Sequence, residues 1–145
     1  MASPYNGIFY TGAPYETEAL GEALAGVLRS GNVVALSGSL GAGKTTFTRG
    51  IARGLGIEEE TTSPTYTIIS EYEGVLPLNH IDAYRLGGER DFYEIGGEEV
   101  IGGGGVSVVE WPEKISGALP AESVMVSISV LEDGRREIAI RGLAL

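Results

Sequence analysis

The residues Gly38, Ser39, Leu40, Gly41, Ala42, Gly43, Lys44 and Thr45 fit the P-loop pattern G-x-x-x-x-G-K-[ST], and no other stretch limits the possible folds so strongly. The motif has physical meaning only between a strand and a helix. Both are expected here. Residues 32–37 (NVVALS) form a short apolar, β-branched run suited to a buried parallel strand. After the loop, Phe47, Ile51 and Leu55 recur every four residues as on one helix face, and Gly56 is placed to end that helix. Glycines let the backbone turn tightly and aim successive N–H groups at a phosphate. The helix N-terminus adds partial positive charge at the same point. Lys44 is expected to reach the β- and γ-phosphates, and the Thr45 hydroxyl to ligate Mg²⁺, with Thr46 extending the nucleotide-binding stretch.

The rest of the chain suits an α/β domain. Ile8 to Tyr10 is a candidate first strand. Leu20, Ala23, Leu24, Val27 and Leu28 share one helix face, with Pro14 at the first helical position and Glu16 in the first turn. Residues 58–64 are polar and end in proline, as a loop does. Residues 66–72 and 76–81 read as two strands in an antiparallel hairpin about Gly74, and residues 91–96 as a helical turn. Residues 102–105, four glycines, read as a flexible connector within the domain. Residues 105–110 (GVSVVE) are a second buried strand ending on a carboxylate, and 123–131 with 135–140 form a hairpin across Asp133 and Gly134. The expected fold is a single P-loop NTPase domain over residues 1–145, three-layered, with a mixed parallel and antiparallel sheet.

Composition narrows the function. At 145 residues and 43% hydrophobic, the chain can bury a real core. The absence of cysteine excludes disulfides and thiolate metal sites and suits a reducing compartment. No apolar run approaches a membrane span and no signal pattern opens the sequence, so a soluble, cytoplasmic protein is expected. The net charge of −10 and the two lysines, Lys44 and Lys114, argue against direct binding of nucleic acid, which depends on neutralising phosphates.

A P-loop site needs an acidic residue at the end of a neighbouring strand to hold Mg²⁺. Asp82 and Glu110 both qualify. His80, the only histidine, is better suited to a hydrogen-bonded strand position than to a base. Trp111, the only tryptophan, fits equally a packing role and a place beside the nucleotide or on a partner surface. The loop carrying Thr62, Ser63 and Thr65 follows the P-loop helix, where nucleotide switches place a γ-phosphate-sensing hydroxyl; it fits an ordinary solvated turn as well.

Four stretches then match something known. GSLGAGKTTFTRG (38–50), TSPTYT (62–67), HIDAYRL (80–86) and VEWPE (109–113), in that order, closely resemble the bacterial TsaE (YjeE) family. Members of that family are ATPases that work with TsaB and TsaD to make the threonylcarbamoyladenosine modification of tRNA. The resemblance spans nearly the whole chain. It implies ATP and Mg²⁺ as cofactors, Thr45 and Glu110 as Mg²⁺ ligands, and Asp82 and Trp111 as residues needed for catalysis beside Lys44. It also implies that Ser63 and Thr65 lie on a switch-like loop and that Arg135 contacts the nucleotide. Ser39 stands where the family usually has an acidic residue, and the glycines at 102–105 replace a more polar segment, which would loosen the strand carrying Glu110. The alternative to an ATPase subunit is a P-loop small-molecule kinase, for which the chain offers no arginine-rich lid. A GTP switch would carry an N/T-K-x-D loop, absent here, so adenine is favoured.

Overall fold

The computed structural model describes residues 5–39, 41–59 and 68–143. Leu40, Thr62, Ser63 and Thr65, and the first residues of the strand expected from 66, lie outside the described residues. The elements follow one another as β1 (Gly7–Thr11), α1 (Pro14–Ala25), β2 (Val33–Gly38), α2 (Lys44–Gly54), β3 (Ile69–Tyr72) and β4 (Leu78–Asp82). The chain continues through α3 (Glu89–Glu94), α4 (Gly97–Gly102), β5 (Val106–Glu110), a 3₁₀ segment (Pro112–Ala118), β6 (Val124–Val130) and β7 (Arg136–Arg141).

The seven strands form one sheet in the order β1-β7-β6-β2-β5-β4-β3. β2, the strand before the P-loop, lies at its centre and runs parallel to β5 and β6; β4 runs parallel to β5. The antiparallel pairs β3–β4, β6–β7 and β1–β7 flank this parallel centre. Side chains alternate across a strand, so each strand feeds two cores. Val34, Leu36, Leu78, Val106, Val108, Val126, Ile138 and Ile140 pack with Leu24, Phe47 and Ile51 of α1 and α2. On the opposite face Val33, Ile81 and Val109 pack with Phe92 of α3 and Ile115 of the 3₁₀ segment. The result is the expected three-layer α/β fold with a mixed sheet.

Two expectations need correction. The first helix ends at Ala25 rather than running on through Leu28. Gly26 caps it and Asn32 closes a turn by accepting from the Arg29 N–H at 2.7 Å, so Val27 is exposed while Leu28 still reaches the core. The glycines at 102–105 are also not a loose connector. Gly102 ends α4, an element not expected from the sequence, and Gly103 caps it. Gly105 has φ +81 and sits so close to Pro77 that a Cβ there would lie 2.5 Å from its carbonyl oxygen. Its N–H donates to Ser30 Oγ at 2.9 Å and its carbonyl accepts from Gly31 N–H at 2.7 Å. These contacts tie down the entry to β5 rather than loosening it.

Helices α1 and α2 cross at unusually short range through small residues. A Cβ on Gly50 would lie 2.0 Å from the Glu18 carbonyl oxygen, and one on Gly21 would lie 2.3 Å from that of Phe47. Backbone cannot give way as a side chain can, so the helices would have to part. Gly50→Ala is therefore expected to destabilise the fold by about 1–3 kcal/mol or more, despite alanine's better helix propensity. Urea unfolding measures this; a stabilised variant would contradict the close packing.

Candidate active site

The fold brings the separate sequence signals to one place. β2, β4 and β5 are parallel neighbours, so their C-terminal ends lie together, where ligands bind in open α/β sheets. The register is direct: Asp82 pairs with Glu110, and Glu110 with Leu36, two residues before Gly38. Asp82 and Glu110 share the sheet face on which α2 packs, because they alternate in step with Leu78 and Val108 of that core.

The P-loop turns on glycine. Gly41 and Gly43 have φ of +78 and +114, and Gly43 is the residue from which α2 starts. No side chain caps α2 and its first turn carries no acidic residue, so its positive end is open to an anion. Gly41, Gly43, Lys44, Thr45, Thr46, Asp82, Glu110 and Trp111 line a cavity of about 450 Å³ at this end. Lys44 is buried, and its Nζ has no hydrogen-bond partner among the described residues. Instead it lies 3.8 Å from the centre of the Trp111 ring. Burial lowers its pKa from the ordinary lysine value, an effect opposed by the negative charges of Glu110, Glu113 and Asp82. A buried ammonium without an acceptor is costly, and a phosphate oxygen would supply one.

Trp111 is half-buried in the left-handed region with φ 58, the only positive φ outside glycine among the described residues. This conformation turns the chain sharply out of β5, and the ring packs on Tyr84 with centroids 5.0 Å apart as well as over Lys44. The ring thus packs against Tyr84 and Lys44 and lines the cavity at the start of α2. Glu110 is buried and hydrogen-bonded to His80 Nε2. Asp82 is partly exposed, with Oδ1 accepting from the Tyr84 N–H at 3.0 Å.

The residues fit Mg²⁺ only in company with a nucleotide. No group of three or more His, Cys, Asp or Glu capable of holding a metal occurs among the described residues. Two carboxylates and the Thr45 hydroxyl are the donor set expected where phosphates complete the coordination.

The arginine at the loop differs from the one singled out in the sequence. Arg135 is paired with Asp133 at 2.7 Å and lies over Tyr10. Its neighbour Arg136 donates from Nε to the Ala42 carbonyl at 2.9 Å and from an Nη to that of Gly41 at 3.4 Å, bracing the P-loop. Arg136 also lines a second cavity of about 230 Å³, bounded by Thr11, Gly12, Ala13, Pro14 and Thr17, which shares Gly41, Gly43 and Thr46 with the first. None of Arg136 or residues 11–17 was singled out from the sequence as a site candidate. The signal for Arg136 was its alternation with Ile138 and Ile140, which places it on the α2 side of the sheet.

Comparison with known proteins agrees with this arrangement. The family model described as "Threonylcarbamoyl adenosine biosynthesis protein TsaE" matches residues 11–138. A tRNA threonylcarbamoyladenosine biosynthesis protein TsaE from Treponema pallidum (strain Nichols) is 47% identical over 125 residues, covering 86% of this chain and 93% of that one. The protein of the same name from Bacillus subtilis (strain 168) is 47% identical over 126 residues, 86% of this chain and 78% of its own. The crystal structure of Bacillus subtilis YdiB superposes with a TM-score of 0.79 at 40% identity, covering 94% of this chain and 85% of the other. The matched span runs from the end of β1 through Ile138, taking in the P-loop, both strand-end carboxylates and Trp111, so the chain belongs to the TsaE family and has a P-loop NTPase fold.

Proposed function

We propose that this chain is an Mg²⁺-dependent ATPase that serves, with TsaB and TsaD homologues, in forming threonylcarbamoyladenosine in tRNA. The observation that carries the reading is the convergence of Lys44, Thr45, Asp82, Glu110 and Trp111 on one cavity at the open end of α2. Its parts suit phosphoryl transfer to water, where catalysis is mostly positioning and neutralisation of charge. The P-loop backbone and Lys44 bind and orient the β- and γ-phosphates. Thr45 and Glu110 would hold Mg²⁺, which when bound supplies charge neutralisation at the phosphate oxygens. Asp82, next to Glu110 in the register, would orient the attacking water. Trp111, packed against Tyr84, forms part of the cavity wall. The second cavity, beside Arg136 and the residues that enter α1, is where the base would lie.

The charge balance assigns tRNA to the partners. A chain of net charge −10 releases few counterions on a nucleic acid, so the subunit is read as the nucleotide-dependent member of the assembly. A switch transmits its state only through a difference in affinity. Filter binding with labelled tRNA at physiological salt is expected to show negligible binding by this chain alone. Co-purification with the TsaB–TsaD pair is expected to change between ATP and ADP. Tight, salt-sensitive tRNA binding by the chain itself, or association indifferent to nucleotide, would contradict the reading.

A further inference from the structure

His80 lies on β4 two residues before Asp82, and the alternation of the strand puts both on the α2 side of the sheet. In the register His80 stands opposite Val108, so Glu110 is its diagonal neighbour on β5, one step nearer the P-loop. The imidazole bridges that diagonal. Its Nε2 donates to Glu110 Oε2, and the two side chains are only 2% and 6% exposed. A carboxylate so deeply buried needs a partner, and a carboxylate with one oxygen fixed has its other oxygen set in direction. Asp82, the other strand-end carboxylate, is partly exposed and is held by a backbone N–H instead.

We infer that His80 is a positioning residue: its Nε2–H fixes the Glu110 carboxylate so that the second oxygen is presented to Mg²⁺ accompanying the nucleotide. This rests on the reading of Glu110 as a metal ligand. It assigns His80 no contact with substrate and no part in proton transfer. Groups placed behind metal ligands typically change metal affinity by roughly 10–100-fold when lost.

The test is the ratio of ATP affinities measured by calorimetry with Mg²⁺ and with EDTA, on full-length protein whose folding is checked by thermal unfolding. In His80→Leu the Mg²⁺ enhancement is expected to fall by about tenfold or more, with the EDTA affinity little changed. In His80→Gln, whose side-chain amide nitrogen reaches the place of Nε2, most of the enhancement is expected to return. A histidine that merely fills the core would alter the melting temperature of both variants without moving the ratio. An unchanged ratio in His80→Leu, or a His80→Gln as impaired as His80→Leu, would overturn the inference. Should His80→Leu not fold, His80→Asn replaces it. Its shorter amide cannot reach the carboxylate, so it must lose the enhancement that His80→Gln keeps, and equal ratios in the two overturn the inference. A wild-type protein whose ATP affinity ignores Mg²⁺ would instead overturn the metal reading of Glu110, a failure visible before any His80 variant is made.

Discussion

Lys44→Met is expected to weaken ATP binding by roughly tenfold to more than a hundredfold while leaving the ligand-free fold nearly as stable as the wild type. The two effects have one origin. In the ligand-free chain Lys44 is buried, its Nζ has no hydrogen-bond partner among the described residues, and its charge is set against the face of Trp111. An unpartnered buried polar group costs about 1–3 kcal/mol, more when charged. A desolvated cation–π contact returns about 2 kcal/mol. These nearly cancel, so removing the ammonium should shift stability by no more than about 1 kcal/mol. A hydrogen bond to a charged phosphate contributes about 1.5–3 kcal/mol, and its loss weakens ATP binding by roughly tenfold to more than a hundredfold. Calorimetry and thermal unfolding on the same sample read both quantities. A variant that binds ATP normally would refute the assignment of Lys44, and one that fails to fold would refute the account of its burial.

The same lysine gives a pH dependence of known sign. Burial lowers its pKa in the folded chain, so over the alkaline range below 10.5 the unfolded chain holds that proton more firmly than the folded one. The lysine therefore costs stability wherever the unfolded chain is protonated, and stability rises as pH climbs from the folded pKa toward 10.5. A phosphate beside the ammonium favours the proton, so ATP binding in that range should take up protons in the wild type and none at this site in Lys44→Met.

Glu110→Gln is expected to reduce ATP hydrolysis by at least about a hundredfold, since even groups behind a metal ligand matter by roughly 10–100-fold. The substitution keeps the size of a buried side chain and its place at the end of β5, but removes the charge. ATP affinity should also become less sensitive to Mg²⁺. Asp82→Asn changes a partly exposed carboxylate in the adjacent register position and should slow turnover while preserving most of the Mg²⁺ effect. If Asp82→Asn alone removes the Mg²⁺ dependence, the roles of the two carboxylates are reversed.

Local chemistry explains what could be read before the structure. Strand, glycine loop and helix are contiguous, so β2 and α2 followed from spacing alone, as did the Asp133–Gly134 hairpin. Asp82 and Glu110 were legible as strand ends, but their pairing was not, because 28 residues separate them and only the β4–β5 register joins them. The His80–Glu110 hydrogen bond was hidden for the same reason. α4, with the sequence GEEVIG, has glycine at both ends and little intrinsic tendency to be helical. It forms where Val100 and Ile101 find a core to cover. Arg136 could have been separated from Arg135 by strand alternation, since Ile138 and Ile140 mark the face that meets the P-loop. The family resemblance points to Arg135 for the nucleotide, whereas the side-chain positions show that Arg136 is the one touching the loop itself.

Phosphate release from ATP by the purified chain, measured with and without the TsaB–TsaD pair, decides whether this cavity hydrolyses ATP for the pair. Slow basal turnover is expected, which EDTA abolishes, which Lys44→Met and Glu110→Gln both lose, and which the pair accelerates. ATP bound in the cavity but never hydrolysed under either condition, or its γ-phosphate recovered on a small-molecule acceptor, would contradict it.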